Sequence, residues 1–156
     1  MEQLFEYRQN LLARYEAAAL EFRTAVETAT QPNVPREADE WSTHQIAVHV
    51  LVAEKMVYGM RVRRTLEEDD PLFENFDGET WMAEHYNADE PLAPILDELV
   101  ASVQASVARL TGLPPKAWTR PSRHAAYGGG FTVQTWVERG LAHIEEHLKT
   151  VTTSRQ

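Results

Sequence analysis

Two histidines four positions apart, in the segment HIEEHLKTV near the end of the chain, have the residue type and spacing that metal binding needs. On a helix, residues four apart lie about 40° apart around the axis, so His143 and His147 project from one side on successive turns. Apolar residues follow the adjoining side of the segment, so both imidazoles are predicted to face the protein interior. Together they can share one ion.

A third histidine, His49, stands in the apolar stripe of an earlier helical segment, between Ile46 and Ala53. One inward histidine is usually a structural residue that bonds a carbonyl or carboxylate. Three on the inward faces of two segments instead favour a metal site with one or more coordination positions left open for chemistry. Neutral imidazole suits zinc or nickel, with iron, copper or manganese as alternatives.

The other histidines are predicted to lie outside this site. His44 is about 140° from His49 around the helix, so it cannot share the ion. His85 and His124 fall in long connections, and we expect His124 to be a solvated loop residue. The HIEEH segment also matches the H-x-x-E-H pattern of inverzincin proteases, but those enzymes take a further carboxylate from well downstream, and only nine residues follow His147.

No second catalytic group is predicted from spacing. Gln45 is assigned to helix capping, Arg139 to the helix surface and Arg61 to structure or a loop contact. Trp41 and Trp136 are expected to be staple and core residues rather than substrate platforms.

Four amphipathic segments must position these side chains. Their apolar residues recur at three and four positions, which predicts helices over about 2 to 29, from Ser42 onward, over 92 to 110 and over about 132 to 151. The first stripe includes Leu4, and the second includes Met56. Ser42 with Gln45 forms a capping box, while Thr132 caps the last helix and Phe131 can staple onto Trp136.

These helices predict an all-α four-helix bundle, since each has one apolar stripe to bury. The connection from Asp69 to Pro91 is long enough for a crossover between helices two and three, and a short helix is expected around GETWMAEHYN. The segment LPPKAWTRPSRHAAYGGG is interpreted as a loop rich in proline and glycine.

Composition narrows the functional classes. The 156 residues, 43% hydrophobic and 25% charged, predict one globular domain over 1–156. The lack of cysteine excludes disulfides and thiolate ligands. The net charge of -9 argues against nucleic-acid binding. With no apolar run long enough for a membrane span and a polar start, MEQLFEYRQN, we expect a cytoplasmic protein that does not bind membranes.

The segments WSTHQIAVHVLVAE and HIEEHLKTV resemble the DinB-like superfamily of metalloenzymes. The likeness lies in a tryptophan-serine helix start with a histidine eight residues after the tryptophan, and in a late helix with histidines four apart followed by leucine. Those positions are Trp41 and His49, then His143, His147 and Leu148. The segments RVRR, LEEDDPLFENFDGETW and GFTVQTW add to the likeness, although the glycine-rich YGGGF departs from the usual pattern.

This resemblance implies an up-down-down-up bundle, a divalent metal on the three histidines and a homodimer. Some relatives use a low-molecular-weight thiol such as mycothiol, bacillithiol or glutathione in transferase or isomerase reactions. The same site could instead activate water in a hydrolase. Two further alternatives stay open: a non-catalytic metal-binding stress-response bundle, and histidines that bond only each other and water.

Overall fold

Long helices occupy the four stretches predicted from the apolar stripes. The computed structural model describes residues 2–153. In chain order the helices are α1 (Glu2–Glu27), α2 (Thr43–Ala53), α3 (Gly59–Glu67), α4 (Gly78–His85), α5 (Leu92–Leu110), α6 (Pro115–Trp118) and α7 (Val133–Thr153). A π-helical turn, Glu54–Tyr58, joins α2 to α3 without a break. No helix in this range has the length and apolar character that a membrane span requires.

The helix starts follow the predicted capping chemistry. Ser42 accepts a hydrogen bond from the Gln45 backbone, and the Gln45 side chain accepts one from the Ser42 backbone, which confirms the capping box. At α7 the Thr132 hydroxyl accepts from the backbone N–H of Thr135 at 3.2 Å. The Phe131 ring stacks on Trp136 with centroids 5.0 Å apart. The predicted cap and staple of the last helix are therefore both present.

The helices pack in a layered arrangement, with α1 along α5 and α7, and α2 and α3 along the same pair. Polar side-chain contacts join α1 to both of its neighbours. Arg8 and Arg14 of α1 bond Gln134 and Glu145 of α7, and Glu16 of α1 accepts from Gln104 of α5. Fully buried side chains from α1, α2, α5 and α7 fill the centre, among them Tyr15, Phe22, Val50, Leu96, Leu99, Ile144 and Trp136. Burial of these apolar surfaces is the main stabilising contribution.

The π-helical turn changes which residues of the second stripe are buried. Met56, which the sequence pattern predicts to face inward, is 43% exposed, so that prediction was wrong. The extra residue in the turn rotates the helix, and Glu54 faces the core instead. Gly59 closes the turn with its N–H on the Glu54 carbonyl, and a Cβ at Gly59 would lie 2.8 Å from that oxygen. Glycine therefore allows the turn.

Leu4 is also more exposed than its stripe predicts. It is 40% exposed and lies, with Phe5, at the edge of a cavity that α5 and α6 also line. The side chains around this cavity do not fill it, so part of the first turn of α1 stays exposed.

A small sheet corrects the all-α prediction. Strands β1 (Leu72–Phe73), β2 (Pro121–His124) and β3 (Gly128–Thr132) form it in that order, β1 parallel to β2 and β2 antiparallel to β3. The segment interpreted as a loop contains α6, β2 and the first three residues of β3. Gly128 and Gly130 have positive φ angles, which favour glycine, at the hairpin. Apolar periodicity carries little signal here because the strands are short and hold few apolar residues.

Glu54 and Tyr15 form a buried polar pair in which the Tyr15 hydroxyl donates to the Glu54 carboxyl group. Burial raises the pKa of Glu54 to about 7 from 4.5, while the bond from Tyr15 acts in the lowering direction. The pKa of this carboxyl group is higher in the folded chain than in the unfolded chain. Its contribution to the free energy of unfolding is therefore complete at any pH below the unfolded pKa. That contribution is lost as the pH rises through the folded value.

We expect Glu54→Gln, which keeps an acceptor for Tyr15, to gain stability relative to the natural protein as the pH rises from about 4 to about 8. The difference in the free energy of unfolding should grow by about 3 kcal/mol. Urea unfolding of metal-free protein across this range measures it. Glu84→Gln, at an exposed position in α4, is the control. Curves for Glu54→Gln and the natural protein that stay parallel would contradict the assignment.

Candidate metal centre

Three imidazoles meet between α2 and α7. The Nε2 atoms of His49 and His143 lie 3.1 Å apart. The His147 ring centroid is 4.9 Å from that of His49 and 4.6 Å from that of His143. One ligand nitrogen from each ring lies within 4.8 Å of the other two. The three predicted side chains therefore form one cluster, from positions far apart in the sequence.

Close helix packing brings α7 to this position. Gly140, three residues before His143, lies against the π-helical turn and α1. A Cβ there would be 3.1 Å from the Tyr15 hydroxyl oxygen and 3.1 Å from the Cβ of Tyr58. Those distances are short for a carbon contact, so a larger residue would push α7 away. Glycine at this position allows α7 to lie near His49.

The donor set suits a divalent ion. Two nitrogens bound at about 2.1 Å to a tetrahedral ion lie about 3.4 Å apart, close to the 3.1 Å between His49 and His143. Small side-chain rotations would bring the third ring into range. All three donors are imidazole nitrogens, which zinc, nickel and ferrous iron accept.

Burial keeps the imidazoles neutral, which is the form that binds metals. Burial, together with a smaller effect of the nearby His147, lowers the pKa of His49 to about 4. Burial, together with smaller effects of His147 and His49, lowers the pKa of His143 to about 3. The pKa of His147 is also lowered by burial, and Glu146 opposes that shift. Each lone pair is therefore available at neutral pH.

Aromatic side chains and the start of α4 surround the cluster. The Trp41 ring lies 4.9 Å from the His49 ring, and the Tyr58 ring lies 5.3 Å from that of His143. Gly78, the first residue of α4, packs against His49. Trp41 is thus a wall of the cluster as well as a residue packed on the core. Tyr58 and Gly78 were not predicted as site residues, because contacts between separate elements leave no spacing signal.

No fourth side chain completes the cluster among residues 2–153. Glu145 pairs with Arg14 at 2.9 Å on the surface, and Glu146 is exposed. Neither glutamate of HIEEH joins the group, in keeping with the interpretation that sets the inverzincin pattern aside. Three protein ligands with positions left open are typical of catalytic rather than structural metal sites.

The remaining histidines lie elsewhere. His44 is buried, where its Nε2 donates to the Glu90 carbonyl at 2.7 Å and its Nδ1 accepts from the Tyr86 hydroxyl at 2.6 Å. His85 is exposed on α4 and stacks on Trp81. His124 is only 4% exposed, so the prediction of a solvated loop residue was wrong. Alternation along β2 turns His124 inward.

The other assigned residues have the roles expected. Arg61 is buried, donates to the Glu74 carbonyl at 3.0 Å and lies 4.7 Å from the Trp136 ring. Arg139 is exposed and lies over the Phe131 ring. Trp136 is buried in the core. These contacts are structural.

Two cavities are separate from the histidine cluster. One, of about 450 Å³, lies between α3 and α5, and the other, of about 500 Å³, lies where the start of α1 meets the end of α5 and α6. Neither is lined by a histidine of the cluster. The donor geometry therefore identifies the candidate centre better than cavity size does.

Both the sequence and the fold of this chain are similar to those of known proteins. The family model for the DinB superfamily matches residues 4–151. Among solved structures, YfiT from Bacillus subtilis is similar with a TM-score of 0.85 and 20% identity, covering 96% of this chain and 86% of that one. YfiT is described as a probable metal-dependent hydrolase with an unusual four-helix bundle topology. No curated protein sequence matches this chain. At this identity the likeness to YfiT establishes the four-helix-bundle fold alone.

Proposed function

The chain belongs to the DinB superfamily, and from this premise we propose that it is a metal-dependent hydrolase whose ion is held by His49, His143 and His147. The observation that carries the proposal is the cluster itself, in which each of three imidazoles offers one nitrogen within 4.8 Å of the others. The description of YfiT as a probable metal-dependent hydrolase supports the reaction class. A small molecule is the proposed substrate.

A divalent ion, when bound, would supply the positive charge that lowers the pKa of a water molecule or polarises a substrate carbonyl. The protein holds the ion through neutral imidazole nitrogens on two helices, α2 and α7. The rings of Trp41 and Tyr58 lie beside His49 and His143, and such partly apolar surroundings strengthen electrostatic interactions with the ligands. Zinc or nickel is the proposed ion, and iron or manganese is the alternative.

A thiol-dependent transferase or isomerase is the second proposal. An exogenous thiol would occupy an open coordination position and act as a thiolate nucleophile. The chain has no cysteine, so such a thiol would have to come from outside the protein. A metal-binding stress-response bundle without catalysis is the third.

We further infer that the main helices run up-down-down-up with the crossover in the connection from Asp69 to Pro91. Two contacts support a shared direction for α1 and α7. Arg8 bonds Gln134, and Arg14, further along α1, bonds Glu145, further along α7. The proposal also includes the cytoplasmic location and the homodimer expected from the sequence.

Reconstituted protein should hydrolyse at least one member of a panel of activated esters, amides and lactones, and His147→Ala should lose at least about 100-fold of that rate. A second panel tests thiols in combination with electrophiles. His85→Ala, which alters an exposed histidine outside the cluster, should keep the full rate. Turnover that requires a thiol would favour the transferase. Stoichiometric metal with no turnover in either panel would favour the non-catalytic bundle.

A further inference from the structure

The cavity at the start of α1 has a largely apolar wall that contains one cation. Its volume of about 500 Å³ is in the range of small-molecule sites. Leu12, Leu110 and Trp118 are buried side chains of the lining, and Leu4 and Phe5 lie at the exposed edge. Within residues 2–153, Arg8 is the single charged residue of the lining, which includes no aspartate or glutamate.

Arg8 is held in place without a counter-ion. It is 7% exposed, its Nε donates to Gln134 Oε1 at 2.8 Å, and its guanidinium carbon lies 5.3 Å from the Trp118 ring. No carboxylate in the described part of the chain forms an ion pair with it, and its terminal nitrogens make no hydrogen bond there. Arg14, six residues further along the same helix, pairs with Glu145 instead.

A guanidinium with unused donors at the wall of a largely apolar cavity can bind an anion without breaking an existing ion pair. Its two terminal nitrogens match the two oxygens of a carboxylate. One positive charge on a protein with a net charge of -9 favours a monoanion over a dianion.

We propose that this cavity binds an amphipathic monocarboxylate, with the carboxylate on Arg8 and the apolar body between α1, α5 and α6. The site is distinct from the histidine cluster, because Gln134 lies about 14 Å along α7 from His143. It does not depend on the metal or on the proposed hydrolase reaction.

Titration calorimetry with octanoate and 1-octanol tests the proposal on the full chain. The natural protein should bind octanoate at least about 10-fold more tightly than octanol, since only octanoate can engage the guanidinium. This comparison requires no variant. His143→Ala should bind octanoate as tightly as the natural protein does, which separates this cavity from a carboxylate bound to a metal ion.

Variants then locate the ligand. Arg8→Gln should weaken octanoate binding at least about 10-fold and leave octanol unchanged, whereas Arg14→Gln should change neither. Ala13→Trp, at an exposed position of the lining, should weaken both ligands by filling the cavity. Equal affinity for octanoate and octanol would overturn the proposal, as would octanoate binding that survives Arg8→Gln.

A second copy of the chain is the other candidate occupant. Absence of octanoate binding, together with self-association in sedimentation that Phe5→Ser abolishes, would assign the apolar edge to that copy and reject the carboxylate site. Absence of both would also reject it.

Discussion

His143→Ala should lose stoichiometric metal binding, with an affinity at least about 100-fold below that of the natural protein. Its Nε2 lies 3.1 Å from that of His49 and its ring lies 4.6 Å from that of His147, so the substitution removes the shared neighbour of the other two ligands. Metal analysis after dialysis should find about one ion per natural chain and a small fraction of that in the variant.

The control for this prediction is His85→Ala, which removes an imidazole outside the cluster and should bind metal normally. Thermal unfolding gives a second measurement. An ion present at 100 times its dissociation constant should stabilise the natural protein by about 2.7 kcal/mol and leave His143→Ala nearly unchanged. Full occupancy in the variant would show that the metal binds elsewhere, and a metal-free natural protein would favour histidines that bond only each other and water.

Trp136→Ala should lower the free energy of unfolding by about 3 to 5 kcal/mol. The indole is 2% exposed, stacks on Phe131 and donates from Nε1 to Ser122 Oγ at 2.8 Å. Phe73 packs against it edge-on from β1. Its removal leaves a cavity where the sheet meets the first turns of α7. The Ser122 hydroxyl then loses the hydrogen bond it accepts and keeps the one it donates to the Phe131 carbonyl.

Trp136→Phe separates these two effects. It keeps most of the ring volume and loses the hydrogen bond, so we expect a loss of about 1 to 2 kcal/mol. Trp81→Ala, at a half-buried position on α4, is the matched control and should cost less than Trp136→Ala. Urea unfolding of metal-free protein, with equal slopes for all variants, measures the differences. A Trp136→Ala loss below that of Trp81→Ala would contradict the packing assigned to the indole.

Local patterns predicted much of the helical structure. The capping box at Ser42, the cap at Thr132 and the stacking of Phe131 on Trp136 all depend on residues three to five positions apart. Such contacts form wherever a helix starts, so the sequence is sufficient to predict them. The helix that ends at Leu110 was likewise predicted from its apolar stripe and from the TGLPP segment that stops it.

Contacts between separate elements were not predictable in this way. The π-helical turn exposes Met56 and buries Glu54, and it depends on Tyr15 of α1 as well as on Gly59. His124 is buried because β2 pairs with strands on both sides, which a segment rich in proline and glycine did not indicate. In both cases a distant partner decides which side of the backbone faces the core.

Helical periodicity is a local property, so the spacing of the residues was enough to place His143 and His147 on one helix face and His49 in another apolar stripe. Whether the three rings come within reach of one ion depends on how closely two helices pack, and no local pattern contains that distance. Gly140 controls the approach of α7 to Tyr15 and Tyr58. The buried Arg8 beside its apolar cavity likewise arises from α1, α5, α6 and α7 together.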